Sequence, residues 1–206
     1  MIKNNAEKPR AGTRERVLEA AERLLGEGEA EFSMRELAAA AGVSFATPFN
    51  LFGSKPGIMR ALSAQLIERM HSCAAATLRE CDTVERELKT VTIAASVMAE
   101  QPAVNKAVMA GIGAPGSDVG DVAERSRALW SWALGDGRGL SPARRDVALA
   151  ILPNQLAIAF RGVLSFWTAG EVLDEALQAQ ALTAATVILS AFVDDDRRDQ
   201  LIDAIR

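Results

Sequence analysis

The sequence predicts an all-α protein. After residue 12, apolar residues, chiefly Ala and Leu, recur at spacings of three and four, which is the period of an amphipathic helix. Alternating runs of β-branched residues, which would indicate strands, are absent from the sequence. With 206 residues, 49% of them hydrophobic and 24% charged, the chain is long enough for one large or two modest cores.

The N-terminal end predicts an arm and a first helix. Residues 1–12 are mostly polar and include a proline and a glycine, so we expect a flexible arm there. Thr13 is placed to cap a helix with an apolar face, and Gly28 is placed to end it.

Two short helices joined by a glycine-bearing turn follow the first helix. Ser33 and Glu36 form the S-x-x-E pattern of a capping box at the start of the second helix. Gly42 and Val43 form the predicted turn, and Ser44 is placed to cap the third helix, FATPFNLF. This spacing is typical of a helix-turn-helix motif, whose second helix enters the DNA major groove.

Pro48 lies inside that third helix. With Ser44 as the cap, it occupies the fourth helical position and removes only the first intrahelical hydrogen bond. We therefore expect the helix to tolerate it.

The rest of the chain predicts longer helices. Gly53 is placed to break the third helix and Ser54 to cap the fourth. Segments 114–118 and 135–139 are the most loop-like of the interior segments. The predicted helices lie near residues 55–79, 83–100, 102–111, 119–134, 141–169 and 173–193, with a short helix at the C-terminus.

Charge and cysteine content restrict the class of protein. The net charge is −4, but residues 1–60 hold nine Lys or Arg against eight Glu, and the acidic surplus lies in the rest of the chain. A DNA-binding module needs basic groups near its DNA-facing surface, and residues 1–60 are the part of the chain with a basic surplus. Two cysteines without a disulfide framework, no N-terminal signal pattern and no long apolar run predict a cytoplasmic protein that does not span a membrane.

Residues 13–62 resemble the DNA-binding domain of the tetracycline-repressor-type (TetR) family. The segments TRERVLEAAERLL and SMRELAAAAGVS, and the N-x-F-G-S-K sequence before the fourth helix, carry this resemblance. A second, weaker resemblance covers residues 156–177, which are similar to the penultimate helix of many members. The resemblance implies a homodimer that packs through its last two long helices, with residues 63–206 forming a ligand-binding and dimerisation domain.

The residues of the last long helix do not by themselves decide whether the protein is a dimer. The last long helix carries a wide apolar stripe, which fits an intramolecular core as well as a dimer interface. Its members are Leu173, Leu177, Ala181, Ala184, Ala185, Val187 and Ile188.

The third helix has few groups that distinguish bases. Asn50 can form a bidentate pair with adenine, Ser44 and Thr47 offer hydroxyls, and Phe45 and Ala46 can touch thymine methyl groups. We expect Phe49 and Phe52 to pack back on the first two helices. The candidate DNA-contacting residues are Ser33, Arg35, Ser44, Phe45, Ala46, Thr47, Phe49, Asn50 and Lys55.

Phosphate contacts differ from the family pattern. Members often have tyrosines at the positions of Phe49 and Leu51, where they meet phosphates, but this chain contains no Tyr. The remaining phosphate ligands are Arg35, Ser33 and Lys55 with the amides of their helix N-termini. Arginines of the N-terminal segment could add further contacts, or could be ordinary surface charges.

A small apolar ligand is the expected effector. Flexible methionines beside aromatic residues suit an apolar pocket, although each of them taken alone fits a plain core better. The candidate ligand-binding residues are Leu66, Met70, Met98, Met109, Trp130, Phe160 and Phe166. Pro153 is expected to kink its helix and could form a cavity wall.

Two hypotheses of different class follow. The first is a ligand-responsive transcriptional regulator, by family expectation a repressor, that binds a palindromic operator as a dimer. The second is a helical dimer that binds a small molecule or a partner and has lost its DNA-binding function. The sequence lacks G-x-S-x-G, Walker and H-E-x-x-H motifs and has a single histidine, His71, so we expect no catalytic residue, metal or cofactor.

Overall fold

The computed structural model describes residues 7–28, 32–78, 81–113 and 120–206. These residues form ten α-helices and no strand, which confirms the all-α prediction. The helices are α1 (Glu7–Gly26), α2 (Met34–Ala40), α3 (Ala46–Phe52), α4 (Lys55–Thr77), α5 (Thr83–Glu100), α6 (Pro102–Gly113), α7 (Val122–Leu134), α8 (Arg145–Thr168), α9 (Leu177–Ser190) and α10 (Asp195–Asp203).

The chain divides into two compact units. The first comprises residues 1–63 and 101–118, and the second comprises residues 64–100 and 119–206. α6 thus groups with residues 1–63, whereas the C-terminal domain that we expected, residues 63–206, included it. It packs against α1, because its own apolar stripe of Val104, Val108 and Met109 is buried within the first unit.

The beginning of α1 differs from the prediction. The helix begins at Glu7, so residues 7–12 are helical and not part of an arm, whereas residues 1–6 of the predicted arm lie outside the described residues. Pro9 falls in the first turn, where its missing N–H has no intrahelical partner to lose. The sequence pattern of a proline and a glycine therefore misled the prediction of the boundary.

The first unit is held by apolar faces of α1, α2 and α4. The fully buried side chains include Val17, Leu18, Leu37, Ile58 and Leu62. Arg23 from α1 donates to the carbonyl of Ala40 over 3.0 Å and so satisfies an end of α2.

The second unit is a helical bundle. α5 packs against α7 and α9, α8 packs against the same two helices, and α10 packs against α9. Trp130, Leu134, Leu152, Trp167 and Leu189 are among its most buried side chains.

Two polar contacts fix helix ends in the second unit. Arg86 of α5 donates from Nε to the carbonyl of Ala133 over 2.9 Å and from its terminal nitrogen to the carbonyl of Trp132 over 3.1 Å. These carbonyls belong to the last turn of α7, which has no intrahelical donor for them. Trp167 Nε1 donates to Asp174 Oδ1 over 2.8 Å in the 3₁₀ turn before α9.

α8 has two apolar faces. One face is buried, and it includes Pro153, through which the helix continues. The other leaves Val147, Ile151, Ile158 and Phe166 between 41% and 57% exposed. Among the described residues α8 is the one helix that is long and apolar enough to cross a membrane, by length and composition alone. The sequence expectation overlooked it because α8 contains Arg145, Asp146 and Arg161.

Glu87 is buried in the second unit without a partner. It is 0% exposed, and neither of its carboxylate oxygens has a hydrogen-bond partner among the described residues. Burial raises the pKa of this carboxyl well above its usual value, and the charge of Arg86 opposes the rise only in part. Burial therefore favours the neutral form of this carboxyl in the folded protein.

The capping box of α2 predicts a loss of stability on substitution. Ser33→Ala removes the hydroxyl that accepts the Glu36 amide over 3.2 Å, so the free energy of unfolding should fall by about 1 kcal/mol. Urea unfolding followed by circular dichroism measures this change. Ser72→Ala, at an exposed position inside α4, is the control, and equal effects of the two substitutions would contradict a capping role.

Glu87 predicts a pH-dependent stability with a definite sign. Since its folded pKa is raised above the unfolded value near 4.5, its stabilising contribution is full below that pH and is lost as the pH rises toward the folded pKa. Glu87→Met removes this titration. The difference in unfolding free energy, variant minus wild type, should therefore grow with pH by up to about 1.4 kcal/mol per pH unit in that window.

Urea unfolding between about pH 5 and pH 8 tests this expectation. Glu85→Met, at an exposed position of the same helix, is the matched control and should give a difference that barely changes with pH. The same flat difference for Glu87→Met would show that the buried carboxyl does not titrate abnormally.

Candidate nucleic-acid interface

The α2–α3 connection is a glycine-dependent turn. Gly42 has φ +63°, a left-handed conformation that favours glycine. The amide of Val43 donates to the carbonyl of Ala38 over 3.0 Å, and that of Gly42 to the carbonyl of Ala39 over 3.1 Å. This pair of bonds is the Schellman motif that ends a helix, so α2 ends where the sequence predicted.

The start of α3 differs from the prediction. The turn spans residues 41–45, not Gly42 and Val43 alone, and α3 begins at Ala46. Ser44 does not cap the helix, because its hydroxyl pairs with the Thr47 hydroxyl at 2.7 Å and the residue at the cap position, Phe45, makes no side-chain cap bond. Pro48 is therefore the third helical residue and removes no intrahelical bond.

The faces of α3 are also distributed differently from our expectation. Pro48 is buried, and Phe52, one turn later, lies half-buried with the Arg14 guanidinium 5.0 Å from its ring centroid. Phe49 is 41% exposed, so the prediction that it packs back on the first two helices is wrong. Pro48 and Phe52, four residues apart, are buried and half-buried, whereas Phe45 and Phe49, also four residues apart, are exposed.

Arg35, Phe45 and Phe49 form an exposed contact group, which we call the Arg35–Phe45–Phe49 cluster. The Arg35 guanidinium lies 5.5 Å from the Phe45 ring centroid, within the range of a cation–π contact. The two rings meet edge to face with centroids 5.3 Å apart. A cation from α2 is thus held beside an apolar surface on α3.

Asn50 and Ala46 are exposed on α3, and Thr47 is half-buried. α3 itself has no charged residue. Its outward surface therefore presents one amide, methyl groups and two aromatic rings. Such a surface can pair with an adenine edge and contact thymine methyl groups, but it cannot by itself neutralise phosphates.

Lys55 lies at the start of α4 with a defined orientation. Its Nζ is 4.7 Å from the ring centroid of the buried Phe32. The Ser54 hydroxyl accepts the Gly57 amide over 3.2 Å, which confirms Ser54 as the cap. A Cβ at position 57 would come within 2.0 Å of the Phe52 carbonyl oxygen, so the α3–α4 corner requires glycine there.

The N-terminus of α2 offers fewer free amides than we expected. The capping box is confirmed, with the Glu36 carboxylate accepting the Ser33 amide over 2.6 Å and the Ser33 hydroxyl accepting the Glu36 amide. The bond from the Ser33 amide is the main reason why the pKa of Glu36 is lowered. An incoming phosphate would meet this carboxylate, whereas the exposed Arg35 remains oriented by Phe45.

The predicted ligand-binding residues do not all come together. Met109 is buried in the first unit, and Phe166 is 55% exposed on α8, so neither belongs to the core of the second unit. Trp130 and Phe160 are buried in contact there, with ring centroids 5.4 Å apart. Met70 and Met98 are buried and Leu66 is half-buried in the same unit.

Sequence reasoning missed Glu87. A single glutamate in an amphipathic helix normally faces solvent. The sequence feature that could have indicated its burial is its position on the inner face of α5, four residues after Thr83 and three before Thr90. All three residues are fully or nearly fully buried. Among the described residues no group of three or more His, Cys, Asp or Glu could hold a metal ion.

Comparisons with known proteins agree with this geometry. Residues 17–62 match the family model of bacterial regulatory proteins of the tetR family. A TetR transcriptional regulator from Rhodococcus sp. RHA1 is similar in structure, with a TM-score of 0.69 and 23% identity, over 87% of this chain and 97% of that one.

A protein from Streptomyces coelicolor A3(2) that is proposed to be a transcriptional regulator has a TM-score of 0.50 and 24% identity, over 88% of this chain and 98% of that one. The sequence matches none of the curated proteins with which it was compared. Residues 17–62 are therefore similar to the N-terminal domain of bacterial regulatory proteins of the tetR family, and the chain shares the fold of the TetR transcriptional regulator from Rhodococcus sp. RHA1.

Proposed function

We propose that the protein is a cytoplasmic transcriptional repressor that binds a palindromic DNA operator as a homodimer and is released by a small apolar ligand. The exposed outward face of α3, with Asn50 beside the Arg35–Phe45–Phe49 cluster, is the observation that carries this proposal. The second helix of a helix-turn-helix enters the DNA major groove. An exposed apolar surface there is unfavourable in water and would be covered on binding.

Base contacts centre on α3. Asn50 pairs with an adenine, and Phe45, Ala46 and Phe49 lie against thymine methyl groups. Thr47 and Ser44 contribute less, because their hydroxyls already pair with each other. Since few groups distinguish bases directly, specificity depends on DNA shape and on the spacing of the two half-sites.

Phosphate contacts come from the two helices that flank α3. Arg35 at the start of α2 and Lys55 at the start of α4 are each oriented by an aromatic ring. This orientation reduces the side-chain entropy that a phosphate contact costs. Ser33 supports Arg35 through the cap of α2 and does not itself provide a free amide.

The exposed face of α8 supports the homodimer. Val147, Ile151, Ile158 and Phe166 lie within one arc of the helix and are all exposed. On α9, by contrast, Leu177, Ala181 and Ala185 of the apolar stripe are buried in the chain's own core, whereas Val187 is 52% exposed. The proposed interface therefore consists mainly of α8, with a smaller contribution from α9.

Release by a ligand requires differential binding. A ligand that binds the second unit more tightly when the dimer is in a DNA-incompatible state lowers the operator affinity by the same factor. The helix α4 begins in the first unit and ends in the second, so it is a covalent link through which the change can pass. The buried Trp130 and Phe160 pair provides apolar surface for such a ligand.

Two observations favour a second candidate. α3 carries no charged residue and the chain has no Tyr, which fits a ligand-binding or partner-binding dimer whose DNA-binding function has been lost. Specific operator binding by the intact protein would exclude this candidate.

Operator binding predicts separable effects of two substitutions. On a duplex from the DNA beside its own gene, Asn50→Ala should weaken specific binding by about 1–3 kcal/mol, because a bidentate base contact is lost. Lys55→Ala should weaken specific and non-specific binding alike and reduce the slope of log affinity against log salt by about 0.9.

Fluorescence anisotropy over a range of salt concentrations measures both quantities. Lys89→Ala, at an exposed position in the second unit, is the control and should leave both unchanged. A salt slope near zero for the wild type, or one that Lys55→Ala does not alter, would contradict the proposed interface.

If the exposed face of α8 forms the dimer interface, a charged substitution on that face should weaken the dimer. Ile158→Asp should raise the dimer dissociation constant at least about thirtyfold, or about 2 kcal/mol, because it buries an unpaired carboxylate against the second copy. Ala128→Asp, at an exposed position of α7, should leave the dissociation constant unchanged. Sedimentation velocity over a dilution series distinguishes the two variants, and a monomeric wild type would rule out the interface.

A further inference from the structure

Glu87 lies in the interior of the second unit. It lies on the inner face of α5, one helical turn after Thr83, and its side chain is completely inaccessible to solvent. Both carboxylate oxygens lack a hydrogen-bond partner among the described residues. Buried polar groups in folded proteins nearly always have a partner, and the described protein groups provide none for these two oxygens, which makes Glu87 a candidate for pairing with a bound group.

The neighbouring helices provide no counter-ion. α9, which packs against α5, contains no ionisable residue along its described length from Leu177 to Ser190. On α7 the charged residues are Glu124, Arg125 and Arg127, and all three are exposed.

The adjacent cation on α5 is already engaged. The Arg86 guanidinium donates to the carbonyls of Ala133 and Trp132 and lies 5.2 Å from the Trp132 ring centroid. Its charge therefore lowers the pKa of Glu87 only partly, against the larger effect of burial. A donor for the carboxylate has to come from outside the residues that pack around α5.

The chemistry of the site restricts what that donor can be. A carboxylate accepts several hydrogen bonds, and a protonated amine supplies three donors with the opposite charge. Besides Thr83 and Thr90, the buried residues of α5 near Glu87 are apolar, among them Val84, Val91 and Ala94, so an apolar body on the ligand suits the site. Among the described residues no group of three or more His, Cys, Asp or Glu could hold a metal ion here.

A glycine-rich loop adjoins the end of α5 nearest Glu87. Residues 135–139 include three glycines with positive φ, at 135, 137 and 139. The Thr83 amide donates to the Arg138 carbonyl over 2.8 Å, and Arg138 itself is exposed. The loop adjoins the start of α5, and Glu87 lies one helical turn inside that start, so a ligand would approach the carboxyl from this side.

We propose that Glu87 binds the ammonium group of a small apolar amine in the second unit, and that the effector of the protein is a compound of this class. This inference rests on the proposed ligand-responsive function and narrows its apolar ligand to one that bears a protonated nitrogen. Without a ligand, burial favours the neutral form of Glu87. When an ammonium group binds to the protonated carboxyl, Glu87 releases its proton to the solvent and the carboxylate pairs with the cation.

Calorimetric titration of the full-length protein with 2-phenylethylamine and with the neutral isostere 2-phenylethanol tests the proposal. The amine should bind the wild type, and Glu87→Gln should weaken that binding at least about tenfold. 2-Phenylethanol should bind wild type and variant equally and more weakly than the amine binds the wild type. Glu85→Gln, at an exposed position of α5, is the matched control and should bind the amine as the wild type does.

A second measurement does not depend on a folded variant. Titrations of the wild type in two buffers of different ionisation enthalpy report the protons released, and release of a proton on amine binding is expected below the raised pKa of Glu87. No amine binding to the wild type, equal amine binding to Glu87→Gln, or no proton release would overturn the proposal.

Amine binding and operator binding are tested independently, because operator binding is measured on DNA without amine. If the wild type binds no operator but binds the amine through Glu87, the proposed regulatory function fails and the amine site stands. If it binds operator but not the amine, the regulatory function stands and this inference fails.

Discussion

The structure depends on each helix burying one apolar stripe, because the 3.6-residue period then decides which side chains remain outside. In α3 this constraint is met by Pro48 and Phe52, which take the inward stripe. Phe45, Phe49 and Asn50 are exposed. The proposed interface with DNA therefore consists of the side chains that the packing of α3 leaves at the surface.

An uncharged α3 shifts the electrostatics to its neighbours. Arg35 and Lys55 belong to α2 and α4, and each lies over an aromatic ring. The capping box that positions Arg35 also places Glu36 at the same helix start, so the region combines attraction and repulsion for phosphate. Moderate phosphate affinity and a large contribution from groove shape are consistent with this balance.

The second unit departs from this burial constraint in two helices, α8 and α5. α8 carries an apolar surface in excess of what its own core needs, which a second copy of the chain can cover. α5 carries the opposite excess, since its buried stripe includes the carboxyl of Glu87. An exposed apolar face and a buried polar group are both costly, and both are relieved by a binding partner.

The sequence by itself determined the helical class, the capping box of Ser33 and Glu36, the glycine turn at Gly42 and the bounds of several helices, because these are local effects of periodicity and of caps within a few residues. It also indicated Asn50 and Lys55 as candidate contacts, whose roles on DNA stay predictions. Only the tertiary structure decided that Phe49 faces outward, that α6 belongs with the N-terminal helices and that Glu87 is buried. Those outcomes depend on which helix packs against which, and periodicity gives the stripe of a helix but not its neighbour.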